Sequence, residues 1–326
     1  MRHNADVKPD RPSLDPTRRG LLARAILSPL APALVPASMH AGATSPARRD
    51  EPLAAQERPT EEVPYVQTPD RIVRRMLQLA DVGERDIVWD LGSGDGRIVI
   101  AAARDFRARG VGFEIDRQLV ELSRRNARRA GVPDRAVFVE RDLFTLSFAA
   151  PTVVTMYLLP DVNLRLRPLL LAQMRPGSRI VSHEWDMGEW PADEVLTVYN
   201  EEKPHGTSRE HKVHLWYVPA RVAGRWVVDI ERKRAPVRFA LAVDQSWQRL
   251  TIRPDRGEVS WAKLTGTRWE LAWRESANGG ERFILRGEVA DRRDAAAWSG
   301  DAFADAPSLN ASAARVARFN ARRAPD

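Results

Sequence analysis

The sequence predicts an α/β protein in which a doubly wound sheet with a closing antiparallel strand precedes a small antiparallel β domain. Three observations support this fold class. Helical patterns alternate with short apolar runs in residues 61–218, and a glycine-rich loop joins the first of these runs to a helix. Residues 219–326 then change to a period-two alternation of apolar and polar side chains. Alternating strands and helices indicate a parallel sheet, whereas period-two segments indicate half-buried strands.

The composition is that of a globular protein with room for two domains. The chain has 326 residues, of which 43% are hydrophobic and 29% are charged, which excludes a mainly disordered chain and a multi-span membrane protein. Because there is no cysteine, disulfides and cysteine-ligated metals are excluded. The formal net charge is +7, but basic residues alternate with acids, as in DIERKR. Nucleic-acid binders concentrate basic residues on one face, so we expect no nucleic-acid partner.

The N-terminal region has the features of an export signal. Arg18 and Arg19 precede an apolar run broken by three prolines, and Ala41 and Ala43 have the small side chains that a signal peptidase needs. We therefore expect residues 1–43 to be a twin-arginine signal peptide and the protein to be periplasmic. The alternative is an arginine-rich disordered leader on a cytoplasmic protein. The proline-rich, charged residues 44–60 indicate a linker.

The first element of the sheet carries the most informative motif. Ile87–Leu91 has the apolar character of a buried parallel strand, and Gly92, Gly94 and Gly96 follow it before a helix opens at Arg97. A glycine loop between a strand and a helix brings backbone N–H groups and a helix N-terminus against a ligand. Glycine is needed there because a Cβ atom would block both the close approach and positive φ angles.

Two cofactor classes use such a loop, and charge separates them. Dinucleotide-binding proteins favour the spacing G-x-G-x-x-G, whereas this loop has G-x-G-x-G. Asp90 lies directly before the loop and Asp95 lies inside it. These carboxylates would repel a pyrophosphate but tolerate a ligand that carries an ammonium and a sulfonium. The loop therefore favours S-adenosylmethionine over NAD.

The following strands place acids at one edge of the predicted sheet. RGVGFEID indicates a second strand ending in Glu114, and AVFVERDLF indicates a third ending in Asp142. TVVTMYLLP and RPGSRIVSHEW follow as the fourth and fifth strands, and VLTVYN and HKVHLWYVP as a closing antiparallel pair. An acid about 20 residues beyond the loop can accept hydrogen bonds from ribose hydroxyls, as we expect of Glu114. The whole pattern is typical of a Rossmann-like sheet.

The C-terminal region is predicted to form a series of short strands. Six alternating segments between residues 220 and 300 are separated by Gly, Pro, Asp and Asn, and NGG at residues 278–280 is a hairpin signal. We expect a small antiparallel sandwich or barrel, with its tryptophans as core and cross-strand packing residues. The tail ASAARVARFNARR is predicted to be a short basic helix or disordered.

The motif D-L-G-S-G-D-G, together with Glu114 and Asp142, resembles the class I S-adenosylmethionine-dependent methyltransferases over about residues 60–218. More narrowly, Pro64, Tyr65 and Thr68 match a P-Y-x-x-T element. This combination resembles bacterial relatives of the mitochondrial lysine methyltransferases that modify the c-type subunits of ATP synthase and the ADP/ATP translocase. The resemblance implies a cofactor site formed by Tyr65, Thr68, Asp90, Gly92, Ser93, Gly94, Gly96, Glu114, Asp142 and Leu143.

Methyl transfer to an amine sets the expectations for catalytic residues. The protein mainly supplies proximity and orientation, and the amine must arrive neutral although lysine has a pKa of about 10.4. Desolvation and the sulfonium charge lower that pKa, and a phenol, carboxylate or imidazole can then accept the proton. Tyr157 after the fourth strand, and His183 and Glu184 after the fifth, are the candidates. We expect no metal, since a His183–Glu184 site lacks a third ligand at a suitable spacing.

The predicted function is therefore methylation of an amine, either a protein lysine or a small amine, with S-adenosyl-L-methionine as cofactor. Two alternatives come from other classes. One is an exported protein that binds the cofactor or its product without transferring a methyl group. The other is an exported binding module in which the β domain is functional and the methyltransferase domain is degenerate. The expected partner is the methyl acceptor, with peripheral membrane association left open.

Overall fold

A computed structural model describes residues 65–200, 209–232, 235–276, 280–290, 297–304 and 315–324. The predicted signal peptide and linker lie outside these described residues, as do Asn278 and Gly279 of the predicted hairpin. Two sheets organise the described part of the chain, one with seven strands and one with eight.

The first sheet has the doubly wound topology that the sequence predicts. Its strands are β1 (Ile87–Leu91), β2 (Arg109–Glu114), β3 (Ala136–Glu140), β4 (Val153–Met156), β5 (Arg179–His183), β6 (Glu194–Tyr199) and β7 (Glu210–Tyr217), in the order β3-β2-β1-β4-β5-β7-β6. Strands β1–β5 are parallel, and β7 and β6 form the predicted antiparallel closing pair. The strand order reverses between β1 and β4, and ligands of such sheets bind beyond the carboxyl ends of the strands at this point.

Four helices cover the two faces of this sheet: α1 (Asp70–Leu79), α2 (Arg97–Asp105), α3 (Arg117–Arg129) and α4 (Pro160–Gln173). On one face, the apolar stripe of α1 packs with α2 over Val88 and Val153. On the other face, Leu166 and Leu170 of α4 pack over Ile180. Burial on both faces explains why β1 and β4 are almost uniformly apolar, as parallel strands usually are.

The second sheet is an antiparallel, up-and-down arrangement of eight strands. They are β8 (Gly224–Glu231), β9 (Val237–Ser246), β10 (Arg249–Pro254), β11 (Glu258–Thr265), β12 (Arg268–Arg274), β13 (Arg282–Val289), β14 (Ala297–Ala304) and β15 (Arg315–Arg323). Strand β15 pairs with β8, and the edge strands β10 and β11 approach each other, so the sheet is nearly a closed barrel. Its interior is filled by aromatic side chains, including the buried Trp226, Trp269, Trp273 and Trp298.

The prediction for the C-terminal tail is wrong over residues 315–323. This segment is not helical or disordered but forms β15, paired with β14 on one side and β8 on the other. Ala317, Phe319 and Ala321 point into the barrel, while the residues between them are exposed. The period-two pattern was obscured because two of the three interior side chains are alanines, which are weak strand formers.

The barrel contacts the loop that follows β5. The indole Nε1 of Trp190 donates a hydrogen bond to Oε1 of Gln248 at 2.9 Å, and Nε2 of Gln248 donates to the carbonyl of Pro191 at 2.7 Å. Trp247 packs against the core beneath α4. No helix in the described residues is long and apolar enough to cross a membrane.

Candidate active site

The glycine loop lies at the carboxyl end of β1, tied to the neighbouring strand. Gly92, Gly94 and Gly96 all have positive φ angles of 72°, 52° and 83°. The backbone N–H groups of Gly92 and Ser93 donate to the carbonyl of Phe113 at the end of β2, at 2.9 and 3.0 Å. A Cβ atom at Gly94 would overlap the ring of Tyr65. The conformation thus requires glycine for both φ and space.

Two predicted acids face this loop. Oε2 of Glu114 accepts a hydrogen bond from the backbone N–H of Gly94 at 2.9 Å, so the carboxylate at the end of β2 is held next to the loop. Asp90 is buried at the end of β1 and accepts a hydrogen bond from the Thr155 hydroxyl at 2.7 Å. Burial raises the pKa of Asp90 to about 7; this hydrogen bond opposes the rise, and the charges of Glu114 and Asp95 add to it.

The third strand ends earlier than predicted. Strand β3 stops at Glu140, and Asp142 lies in the exposed segment beyond it, where its Oδ1 accepts from the backbone N–H of Phe144 at 2.9 Å. This side-chain cap starts a short 3₁₀ turn, Leu143–Thr145, which explains why the strand does not continue. Asp142 therefore caps a turn, and Leu143 lies half-buried in it.

Residues 65–69 cross from the glycine loop to the end of β5. The Tyr65 hydroxyl accepts a hydrogen bond from the backbone N–H of Asp95 at 3.2 Å, which places its ring over Gly94. Thr68 is buried, with its hydroxyl 3.1 Å from Nδ1 of His183. This segment connects the two groups of predicted residues. Ser93, also predicted in the cofactor site, directs its hydroxyl towards Gly112 on β2.

The three predicted catalytic residues lie together. Tyr157 follows β4, His183 ends β5, and their ring centroids are 4.2 Å apart. His183 is only 1% exposed, and burial lowers its pKa. Burial and the charge of Glu184 raise the pKa of Tyr157, so its phenol keeps its proton. These side chains stand at the carboxyl ends of β4 and β5, beside the strand-order reversal.

The sequence missed one member of this group. His211 on β7 places its Nδ1 3.0 Å from Nε2 of His183 and 2.7 Å from Oε1 of Glu184. The His183–Glu184 pair therefore has a third potential ligand beside it, contrary to the expectation from sequence spacing. His211 lies 27 residues beyond Glu184, and only the antiparallel pairing of β5 with β7, which sets His183 opposite Val213, brings it close.

The described residues fit the cofactor that the sequence favours. The cradle at Gly94 would be filled by a Cβ atom, and the carboxylates of Asp90 and Glu114 lie beside the loop, whereas that of Asp95 is paired with Arg97. A cationic ligand with ribose hydroxyls suits this set of acceptors, and a pyrophosphate does not.

Comparison with known proteins identifies the family. The ANTKMT methyltransferase domain matches residues 90–194. A protein-lysine N-methyltransferase from Saccharolobus islandicus is 44% identical over 157 residues, which cover 48% of this chain and 94% of that protein. The chain belongs to the ANTKMT methyltransferase family. It is an S-adenosylmethionine-dependent methyltransferase, as the resemblance in the glycine loop and acids implies.

Two vertebrate relatives match less of their own length. A lysine N-methyltransferase of Xenopus laevis, named for the c-type subunits of ATP synthase, is 34% identical, and the adenine nucleotide translocase lysine N-methyltransferase of Mus musculus is 36% identical. The chain covers 58% and 56% of these proteins with 41% and 40% of its own residues. An RNA methyltransferase from Salinibacter ruber, solved with S-adenosyl-L-homocysteine, is 50% identical; the match covers 48% of this chain and 96% of that one, with a TM-score of 0.44.

Proposed function

We propose that this methyltransferase transfers the methyl group to an amine, with the side chain of a protein lysine as acceptor rather than a small amine. The observation that carries the proposal is the group of Tyr157, His183 and Glu184 beside the loop, in a chain 44% identical to a protein-lysine N-methyltransferase. The similarity to the two vertebrate lysine methyltransferases supports the same acceptor class.

The cofactor side is proposed to work through the glycine loop and its acids. When bound, S-adenosylmethionine supplies a methyl group on a positively charged sulfur. Glu114, held next to the loop, would accept hydrogen bonds from the ribose hydroxyls, Asp90 would provide negative charge at the end of β1, and Tyr65 would cover the loop. Thr68 fixes the segment between this side and the acceptor side. Asp142 and Leu143 border the same edge.

The acceptor side is proposed to orient the amine. With the cofactor bound, this side would hold the neutral amine nitrogen in line with the methyl group that the sulfonium would supply. Because Tyr157 keeps its phenolic proton, it does not act as the proton acceptor, but its oxygen can still accept a hydrogen bond from the incoming amine. Glu184 lines the approach with Tyr157, and the buried His183 packs against the Tyr157 ring. Such orientation can lower the barrier by about 7–11 kcal/mol in favourable cases.

The domain boundaries are part of this proposal. We place the methyltransferase domain at residues 61–218 and the β domain at residues 219–326. Strand β7 ends at Tyr217, and Ala220 and Val222 already pack in the core of the barrel. Because Gln248 binds the loop that follows Glu184, the β domain is suited to shaping the acceptor side.

The acceptor class is tested with the full chain and cofactor carrying a labelled methyl group. We expect the label on Nζ of lysine in a protein acceptor, located by mass spectrometry, and expect it to disappear when the lysines are acetylated beforehand. Tyr157→Phe should lower the rate at least tenfold. The matched control is Tyr199→Phe, an exposed tyrosine on β6, which should retain the rate. Label appearing in RNA, or surviving lysine acetylation, would contradict the proposal.

We propose in addition that residues 1–43 export the protein to the periplasm by the twin-arginine route. Arg18 and Arg19, the short apolar run and the site at Ala41–Ala43 support this location. Replacing both arginines by lysine should retain the protein in the cytoplasm, as cell fractionation would show. A wild-type protein that stays cytoplasmic with Met1 intact contradicts export. The membrane fraction of the same experiment tests peripheral membrane association, which stays a prediction.

A further inference from the structure

Three potential metal-ligating atoms converge at the acceptor end of the first sheet. Nε2 of His183 lies 3.0 Å from Nδ1 of His211 and 3.5 Å from Oε1 of Glu184, and the latter two atoms are 2.7 Å apart. In a tetrahedral zinc site with bonds of about 2.0–2.1 Å, neighbouring ligand atoms are about 3.3 Å apart. Two sides of the triangle are thus within about 0.3 Å of the separation that zinc requires, and the third, between His211 and Glu184, is shorter by about 0.6 Å.

The backbone at Glu184 makes this convergence possible. Neighbouring residues of a strand normally point to opposite faces of the sheet, so His183 and Glu184 should diverge. Glu184 instead has a φ of +67°, in the left-handed region that non-glycine residues rarely adopt. Its backbone N–H donates to the carbonyl of Lys212 at 2.7 Å, which holds this conformation against β7. Such strain is concentrated at functional sites.

The ring of His183 is oriented for a ligand role. Its Nδ1 lies 3.1 Å from the Thr68 hydroxyl, and this contact directs Nε2 towards His211 and Glu184. In zinc-binding histidines, the ring nitrogen that does not bind the metal almost always forms a hydrogen bond that fixes the orientation of the ring. His183 is buried, and His211 and Glu184 are half-buried, so the three side chains are restricted before any ion binds.

The chemistry of the three ligands selects a class of ion. Two imidazoles and one carboxylate suit zinc and its neighbours in the first transition series, whereas magnesium and calcium favour oxygen ligands alone. Without an ion, one proton on Nδ1 of His211 can be shared between Nε2 of His183 and Oε1 of Glu184. A bound cation would instead accept a lone pair from each of these three atoms. Among the described residues only these three form such a group, which leaves a fourth coordination position for water or another ligand.

We propose that His183, Glu184 and His211 bind one divalent transition-metal ion, with zinc as the best fit. The ion would join the end of β5 to the start of β7 at the wall of the acceptor side. This inference does not depend on the proposed lysine acceptor, because binding is measured without cofactor or acceptor.

The test uses the full chain, freed of metal with a chelator and titrated with Co²⁺ as a visible probe. We expect the absorption bands of a four- or five-coordinate ion to saturate at one equivalent and to be displaced by one equivalent of Zn²⁺. Zn²⁺ should also raise the melting temperature. Glu184→Gln and His211→Ala should each weaken the apparent affinity at least tenfold; if one variant does not fold by circular dichroism, the other decides the result.

Two control variants separate this site from other ligands. Asp186→Asn changes a nearby carboxylate that accepts from the backbone N–H of Gly188 instead, and it should bind Co²⁺ as the wild type does. His205→Ala removes a histidine outside the described residues and should also have no effect. The proposal is overturned if the wild type gives no bands, if the bands survive in the Glu184 and His211 variants, or if either control abolishes them.

Discussion

Replacing Gly94 by arginine is expected to abolish binding of S-adenosylmethionine. Gly94 has a φ of 52°, and even a Cβ atom there would overlap the ring of Tyr65. Its backbone N–H also donates to Glu114, so displacement of the loop would move the acid proposed to hold the ribose. A long guanidinium side chain would fill the cradle as well. Calorimetry should show an affinity at least a hundredfold lower than that of the wild type, since both strain and occlusion act.

Gly83→Arg is the matched control for this variant. Gly83 lies in the turn before β1, has no positive φ, and its Cβ position has no atom within 4 Å. The same glycine-to-arginine change there should leave both folding and cofactor affinity unchanged. Wild-type affinity in a folded Gly94→Arg protein would show that the cofactor binds elsewhere. Equal loss in both variants would point to the added charge rather than the loop.

The sequence predicts the strands and the glycine loop of the proposed cofactor half well because the signals there are local. The first strand is found at its observed bounds, Ile87–Leu91, since an apolar run followed by spaced glycines specifies strand, loop and helix within a few residues. Glu114 is likewise placed at the observed end of β2. Asp142, by contrast, is predicted to end β3 but lies beyond it. Its side chain caps the following turn, and this cap forms only in the folded protein.

The sequence does not reveal features of the structure that arise from pairing between distant segments of the chain. His211 joins His183 and Glu184 only through the register of β5 with β7, and that register is not encoded in either strand alone. Strand β15 closes the barrel by pairing with β8, which lies far earlier in the chain. Its interior alanines are small because neighbouring aromatic side chains fill the space, which is a property of the assembled core.

Asp90→Asn is expected to stabilise the protein in a pH-dependent way. The pKa of Asp90 is about 7 in the folded chain, against an ordinary value of 3.8. Between these values the native state holds a proton that the unfolded state releases, so the free energy of unfolding of the wild type falls as the pH rises. Asparagine has no such proton. Its stability advantage should therefore grow by roughly 2 kcal/mol between about pH 5 and 7, because the slope is steepest below pH 6 and halves at the folded-state pKa.

The same Asp90→Asn change should weaken cofactor binding while it stabilises the fold. Above about pH 7 the ionised Asp90 offers negative charge to a cationic ligand, and Asp90→Asn removes it, so calorimetry at about pH 8 should show at least tenfold weaker binding. Denaturant titrations across this pH range measure the stability difference, with the exposed Asp134→Asn as control. A difference that stays constant with pH would contradict the raised pKa. We expect a variant that is more stable but binds the cofactor more weakly. That result would show that burying this carboxylate lowers the stability of the protein and strengthens binding of a cationic cofactor.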